Sequence, residues 1–371
     1  VEEPTTRIVF SGGGTGGHLY PALAVAEELR RRHPHASIAF VGARRGLEQR
    51  LVPAAGYELL SLRLGGLKGA SGAGRLAGVV GAAWAVARCL AWMLRRPPSL
   101  VVGVGGYASG PGVLAASLLR RRTMLLEQNH HPGATNRWLA SRVDAVCLPS
   151  ETARGRIGGR TFVTGNPVRR EFFEIGEPAG GTALGLLVFG GSRGARSINR
   201  CVAGALGELG RVEPPLRIVH QTGQEDFAEV SRAYGAFPAG RSEVAPFLDD
   251  MPARLAAADL VVCRAGASTI GELCASGRPA IVVPYPHAAD DHQRHNAEEL
   301  LRAGAAELLE DRDLQPQALA RLVARLAGDA GRRRAMGRAA RALARPDATR
   351  RIADVAGRLL LGPPDGGDDV P

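Results

Sequence analysis

A chain of 371 residues that is 45% hydrophobic and 22% charged has globular composition and enough length for two domains of ordinary size. That excludes a disordered or low-complexity protein. The net charge of +11 calls for an anionic partner, whether nucleic acid, phosphorylated substrate or acidic membrane surface.

The first apolar run, residues 8–10, leads through Gly12-Gly13-Gly14-Thr15-Gly16-Gly17 into an amphipathic stretch at 21–32. It has no signal-peptide layout. Run 38–41 leads to helix 47–54, run 100–103 to helix 112–119, and run 124–127 to helix 135–140. This βαβα rhythm predicts a parallel sheet covered by helices on both faces. Residues 76–94, LAGVVGAAWAVARCLAWML, approach membrane-spanning length. Their Gly and Ala content and internal Arg88 favour a buried or interfacial helix.

The second half repeats the first. LLVFGGSRGARSINRCVAGAL from Leu186 echoes IVFSGGGTGGHLYPALAVAEEL from Ile8, and further strand-like runs follow at 217–220, 260–263 and 280–283. The fold class expected is therefore α/β, with two Rossmann-like domains facing across a cleft. The domains expected are 1–165 and 166–345. The turn-forming Gly165-Asn166-Pro167 divides them. An Arg-rich helix over 331–361 is expected to end the fold, its last part (346–361) returning to the N-terminal domain. Residues 362–371 have the Gly, Pro and Asp content of a disordered tail.

Four glycine clusters sit where strands end: 12–17, 105–110, 190–194 and 264–268. A glycine turn that opens a helix offers backbone N–H groups and a positive dipole end to an anion. Any α/β protein has some glycine at such turns, but four in two matched halves indicate two phosphate-bearing ligands. A nicotinamide or flavin site would want an acid at the end of the second strand, which instead reads Val41-Gly42-Ala43. The single lysine, Lys68, is not in a Walker loop. All other basic residues are arginine, which suits phosphate but follows equally from a GC-rich genome. Cys89, Cys147, Cys201, Cys263 and Cys274 form no CxxC pair and read as buried thiols in a reducing compartment. Asp311 and Asp313, or Asp290, Asp291 and His292, imitate metal ligands. Asp313 reads better as a helix N-cap, and no further ligands accompany the second group. No metal and no cofactor are expected.

The runs GGGTGGHLYPALAVAEEL, GGYASGP, EQNHHPGATNRWLA, GNPVR, GGSRGARSIN and RAGASTIGELCASGRPAIVVPYPHAADDHQRHNA occur in order over most of the chain. Together they closely resemble the signatures of the MurG family. The resemblance implies a glycosyltransferase-B fold, with residues 1–165 facing acceptor and membrane and 166–345 binding the nucleotide sugar, and an inverting, metal-independent, UDP-sugar-dependent hexosyltransferase. Such an enzyme moves N-acetylglucosamine from UDP-N-acetylglucosamine to the 4-hydroxyl of a polyprenyl-pyrophosphate-linked muramoyl pentapeptide, in peptidoglycan synthesis. It implies a peripheral enzyme on the cytoplasmic face of the bacterial inner membrane, with other cell-wall and division proteins as candidate partners. Nucleic acid is not expected, because arginine is evenly scattered without interleaved aromatics. The alternative enzyme reading is a UDP-N-acetylglucosamine 2-epimerase.

The resemblance also implies roles. His18, in the dipole of a helix start, is the candidate base or positioning group for the acceptor hydroxyl. Thr15, Gly16, Gly17, Asn129, Arg169, Ser192, Leu248, Ala267, Ser268, Thr269, Ile270, Gly271, Glu272 and Gln293 are donor-binding candidates. Among these, Ser192 and Arg169 meet the diphosphate, the Leu248 backbone meets uracil, and Gln293 meets the sugar. Gly13, Gly14, Gly105, Gly106, Tyr107 and Ser109 form the acceptor loops. By its residues alone Glu272 is either a ribose ligand or the far end of a capping box with Thr269; the resemblance selects ribose. Trp84, Leu90, Trp92, Met93 and Leu94, edged by Lys68, Arg75, Arg88, Arg95, Arg96 and Arg120 to Arg122, suit an anionic lipid surface. A core helix with solvated arginines at its ends remains the rival reading.

Overall fold

The computed structural model describes residues 6–44, 46–63, 72–106, 108–178 and 180–361. Lys68, Tyr107 and residues 362–371 lie outside them, and nothing is described of the side chain of Arg75. The chain divides into two compact units, 1–167 with 347–371, and 168–346.

In the first unit strands and helices alternate: β1 (Arg7–Ser11), α1 (Gly16–Arg32), β2 (Ser37–Ala43), α2 (Glu48–Ala54), β3 (Glu58–Leu62), α3 (Gly72–Arg95) and β4 (Leu100–Gly103). Then come α4 (Ser109–Leu118), β5 (Arg122–Leu126), α5 (Ala134–Leu139), β6 (Ala145–Leu148), α6 (Glu151–Arg154) and β7 (Thr161–Val163). The strands form one parallel sheet in the order β3-β2-β1-β4-β5-β6-β7. Its central strands β1 and β4 are buried throughout and apolar over Ile8–Phe10 and Leu100–Val102, as a sheet covered on both faces requires. Ile8 and Phe10 point into one core layer, Val9 into the other.

The second unit runs α7 (Arg170–Phe173), β8 (Leu184–Phe189), α8 (Arg196–Leu209), β9 (Leu216–Gln221), α9 (Phe227–Tyr234), β10 (Ser242–Ala245) and α10 (Met251–Ala256). It continues with β11 (Leu260–Cys263), α11 (Ala267–Ser276), β12 (Ala280–Val282), α12 (His292–Arg302), β13 (Ala306–Leu308), α13 (Pro316–Gly328) and α14 (Ala330–Ala342). Its parallel sheet has the order β10-β9-β8-β11-β12-β13. The final helix, α15 (Ala348–Leu361), packs on α1 and buries Ile352, Ala353 and Ala356 in the first unit, where Arg32 pairs with Asp354 at 2.5 Å.

Three sequence expectations need correction. The single helix over 331–361 is two helices, α14 and α15, broken at residues 343–347; Pro346 lacks the N–H that an unbroken helix would use there. The first helix starts at Gly16 rather than 21, with Pro21 inside it, so His18 lies within its first turn. Asp313 is not a helix N-cap: it ends a short 3₁₀ turn, and Gln315 precedes α13, whose first residue is Pro316.

All five cysteines are buried and unpaired. Burial pushes the thiols of Cys89, Cys147, Cys201 and Cys274 up to about 12 and raises that of Cys263 further, so they stay protonated and pack as small apolar groups.

Candidate functional site

In a doubly wound sheet, ligands bind beyond the strand carboxyl ends where the strand order reverses, because the loops there turn apart. The first sheet reverses between β1 and β4, and the second between β8 and β11. The four glycine clusters follow β1, β4, β8 and β11. Both switch points are thus built from the four turns that the sequence singles out.

At the first switch point the loops after β1 and β4 lie backbone to backbone. Gly13 N donates to Gly105 O at 3.2 Å, and Ser11 Oγ donates to Ala108 O at 2.8 Å. A Cβ on Gly106 (φ +77°) would stand 2.3 Å from Gly13 O, so no other residue fits there. The buried Glu48 carboxylate closes the loop from beneath, accepting from Gly14 N at 3.0 Å and Ala43 N at 2.7 Å. The amides of Gly13 and Gly14 are therefore engaged in building the loop itself. The amides of Gly16 and Gly17, first in α1, have no carbonyl four residues back within the helix. Ser109, the first residue of α4, is fully buried.

His18 is half-buried beside these loops. Its Nδ1 lies 3.0 Å from Gln128 Oε1, and Gln128 Nε2 donates to Val104 O at 3.2 Å. Gly105 (φ +86°) makes room for the ring, since a Cβ there would come within 2.8 Å of Nδ1. Next to Gln128, the buried Glu127 carboxylate accepts from Asn129 N at 2.8 Å, Asn129 Nδ2 at 3.1 Å, Gly133 N at 3.0 Å and Asn136 Nδ2 at 2.9 Å. Asn129, expected at the donor, is thus part of a loop held by Glu127. Sequence reasoning assigned no role to Glu48, Glu127 or Gln128; buried polar residues inside a recognised motif are the signal that could have marked the last two.

At the second switch point α11 begins at Ala267, with Gly266 preceding it, and Ile270 N donates to Gly266 O. Thr269 therefore lies inside the helix and cannot be its cap, which removes the capping-box reading of Glu272. The first-turn amides of Ala267, Ser268 and Thr269 are open to an anion, in the positive end of a ten-residue helix. Glu272 follows on the same helix. Burial raises its carboxyl to about 7, the Arg169 guanidinium partly opposing that rise. Arg169 lies over the Phe172 ring at 4.9 Å.

Gln221 ties the loop after β8 to that after β10: its Nε2 donates to Gly191 O at 2.9 Å, and its Oε1 accepts from Leu248 N at 2.9 Å. Ser192 sits in the loop so held. The N–H of Leu248 is already engaged, so a base edge reaching this backbone would meet the carbonyl. Arg264 donates to Val283 O, Pro284 O and Asp311 Oδ1, and to Ser197 Oγ at 2.7 Å. Asp311 is thereby an ion-pair partner in a structural cluster, which explains its position without a metal. Gln293 Oε1 accepts from Tyr285 N at 3.0 Å and shapes the turn after β12.

Two parallel-sheet α/β units with glycine loops at both switch points define the glycosyltransferase-B fold class. Residues 8–148 match the glycosyltransferase family 28 N-terminal domain and residues 185–352 the family 28 C-terminal domain. Over 327 residues the chain is 45% identical to the UDP-N-acetylglucosamine–N-acetylmuramyl-(pentapeptide) pyrophosphoryl-undecaprenol N-acetylglucosamine transferase of Geotalea daltonii, covering 86% of this chain and 88% of that protein. The crystal structure of Acinetobacter baumannii MurG superposes with a TM-score of 0.74 at 31% identity, covering 95% of this chain and 99% of that one. The chain belongs to the MurG family. A UDP-N-acetylglucosamine 2-epimerase structure matches at 16% identity, with a TM-score of 0.66 and coverage of 100% of this chain and 99% of that one. At that identity it shares the fold alone, and the epimerase reading is not favoured.

Proposed function

We propose that this chain transfers N-acetylglucosamine from UDP-N-acetylglucosamine to the 4-hydroxyl of a polyprenyl-pyrophosphate-linked N-acetylmuramoyl pentapeptide. The observation that carries the reading is the placement of all four glycine loops at two switch points, in a chain whose relatives are named for this reaction. His18 Nε2 takes the proton of the acceptor hydroxyl as its oxygen bonds to the anomeric carbon. The bond from that carbon to the diphosphate oxygen breaks, and UDP departs with the electron pair. Attack from the opposite face inverts the centre to a β-1,4 linkage. The amides of Ala267 to Thr269, Ser192 and Arg169 meet the charge that develops on the diphosphate, and the Glu272 carboxylate accepts from the ribose hydroxyls.

The membrane side of the reading rests on α3. Ala85, Cys89 and Met93, four residues apart, form its buried stripe, while Val80, Trp84 and Leu94 are exposed on the opposite side. Leu90 and Trp92 are partly packed against the core, so only Trp84 and Leu94 of the apolar group expected from sequence face outward. Leu118 on α4 and Trp138 on α5 are further exposed apolar residues, and Arg88 and Arg142 lie over Trp84 and Trp138. By length and composition Gly78–Arg95 could cross a membrane, with 17% of it buried. We read this surface as a peripheral docking face for an anionic bilayer bearing the lipid acceptor.

The test is a pair of incubations. Labelled UDP-N-acetylglucosamine with a lipid-linked acceptor should give labelled glycolipid, in the presence of chelator as well as in its absence. Rapid formation of the 2-epimer from the nucleotide sugar alone would overturn the assignment.

A further inference from the structure

We propose that Gln128 is a positioning residue that fixes the His18 imidazole with its proton on Nδ1, leaving the Nε2 lone pair for the acceptor. The inference rests on the reading of His18 as the base and names what makes it one. The Val104 carbonyl can only accept a hydrogen bond, so the Gln128 NH₂ must lie on its side, at 3.2 Å. Turning the amide over would oppose two oxygens in a buried place where water cannot intervene: Gln128 is 2% exposed. The Gln128 oxygen therefore faces His18 Nδ1 at 3.0 Å, and an oxygen there requires Nδ1 to be the donor.

The backbone around Gln128 is held independently. Asn166 Nδ2 donates to Gln128 O at 2.7 Å, and Glu127 binds the amides of Asn129 and Gly133. A histidine side chain in water prefers its proton on Nε2, the wrong nitrogen for this task, and Gln128 reverses that preference. After proton transfer the ring still donates through Nδ1 to the same oxygen, so no rearrangement accompanies the step.

The experiment compares Gln128→Met, which keeps length but loses the acceptor, with Gln128→Glu, which keeps an acceptor, in the full chain. Nitrogen-15 spectra of histidine-labelled protein at alkaline pH, with His18 assigned from His18→Ala, should place the wild-type proton on Nδ1. In Gln128→Met it should move largely to Nε2, with kcat down roughly 10- to 100-fold and the KM for UDP-N-acetylglucosamine within about two-fold. Gln128→Glu keeps an acceptor for Nδ1 but sets its other oxygen against the Val104 carbonyl, so it should restore the tautomer and part of kcat, and move the acidic limb of the rate profile to higher pH, because a carboxylate stabilises the imidazolium. Unchanged kcat and tautomer in Gln128→Met, with His18→Ala inactive, would overturn the role of Gln128 and spare the base. Full turnover in His18→Ala would overturn the base, and the proposal with it. Should Gln128→Met not fold, a wild-type proton on Nε2 would by itself refute the assignment.

Discussion

Glu272 gives the account its most quantitative consequence. Burial raises its carboxyl to about 7, well above the ordinary 4.5, so below about pH 7 the ligand-free protein favours the protonated acid. A ribose that donates two hydroxyl hydrogen bonds needs the carboxylate. Donor binding should then strengthen as pH rises through 7, and below 7 it should release a proton. If only the ionised form binds, about 3% of the protein is competent at pH 5.5, and affinity there is roughly 30-fold weaker than at pH 8. UDP-N-acetylglucosamine suits the titration because its diphosphate diester stays fully ionised over that range, whereas the terminal phosphate of UDP does not. Calorimetry in two buffers of different ionisation enthalpy would report both the affinity and the proton count. Glu272→Gln should bind more weakly at pH 8 and lose the pH dependence. The same shift makes a stability statement. With the folded value above the unfolded one, this group's contribution is fully present below about 4.5. It declines as pH rises through about 7, by at most about 3 kcal/mol in the ligand-free protein. A pH-independent wild-type affinity, or a Glu272→Gln variant that keeps the slope, would refute the reasoning.

His18→Ala should lower kcat by roughly 10²- to 10⁴-fold while leaving UDP-N-acetylglucosamine affinity nearly unchanged, as steady-state rates and calorimetry would show. Ile352→Ala, on α15 and 1% exposed, should destabilise the first unit by about 2–5 kcal/mol in denaturant titration, since the helix is part of that core. Trp84→Asp should weaken sedimentation with anionic vesicles while preserving transfer to a short-chain, water-soluble acceptor; unchanged vesicle binding would remove the α3 face from the membrane.

The sequence made the α/β class legible because its strands are continuous apolar runs punctuated by glycine, and it marked all four loops that flank the switch points. Strand order is not a local property, so that these loops share two reversal points emerged only from the sheets. Short or half-polar strands such as β3, β10 and β13 gave no clear run. Candidates for the chemistry stand out in the sequence where a residue type is distinctive, as with His18 and Glu272. They are hidden where a common residue acts through burial and a distant partner: Gln128 meets His18 from 110 residues away, and Glu48 meets Gly14 from 34. The capping-box ambiguity at Glu272 turned on where α11 begins, which Gly266 decides by its extended backbone. Met93 read as membrane-facing because hydropathy has no sense of which helix face meets the sheet.

The central claim is that glycine-built helix starts hold the substrate diphosphates. An experimental structure of the chain bound to UDP-N-acetylglucosamine tests it most directly. The diphosphate oxygens should lie within hydrogen-bond distance of the Ala267 to Thr269 amides and Ser192, with the ribose on Glu272. A diphosphate seated elsewhere, such as on the arginines of α14, with the start of α11 left to solvent, would contradict it.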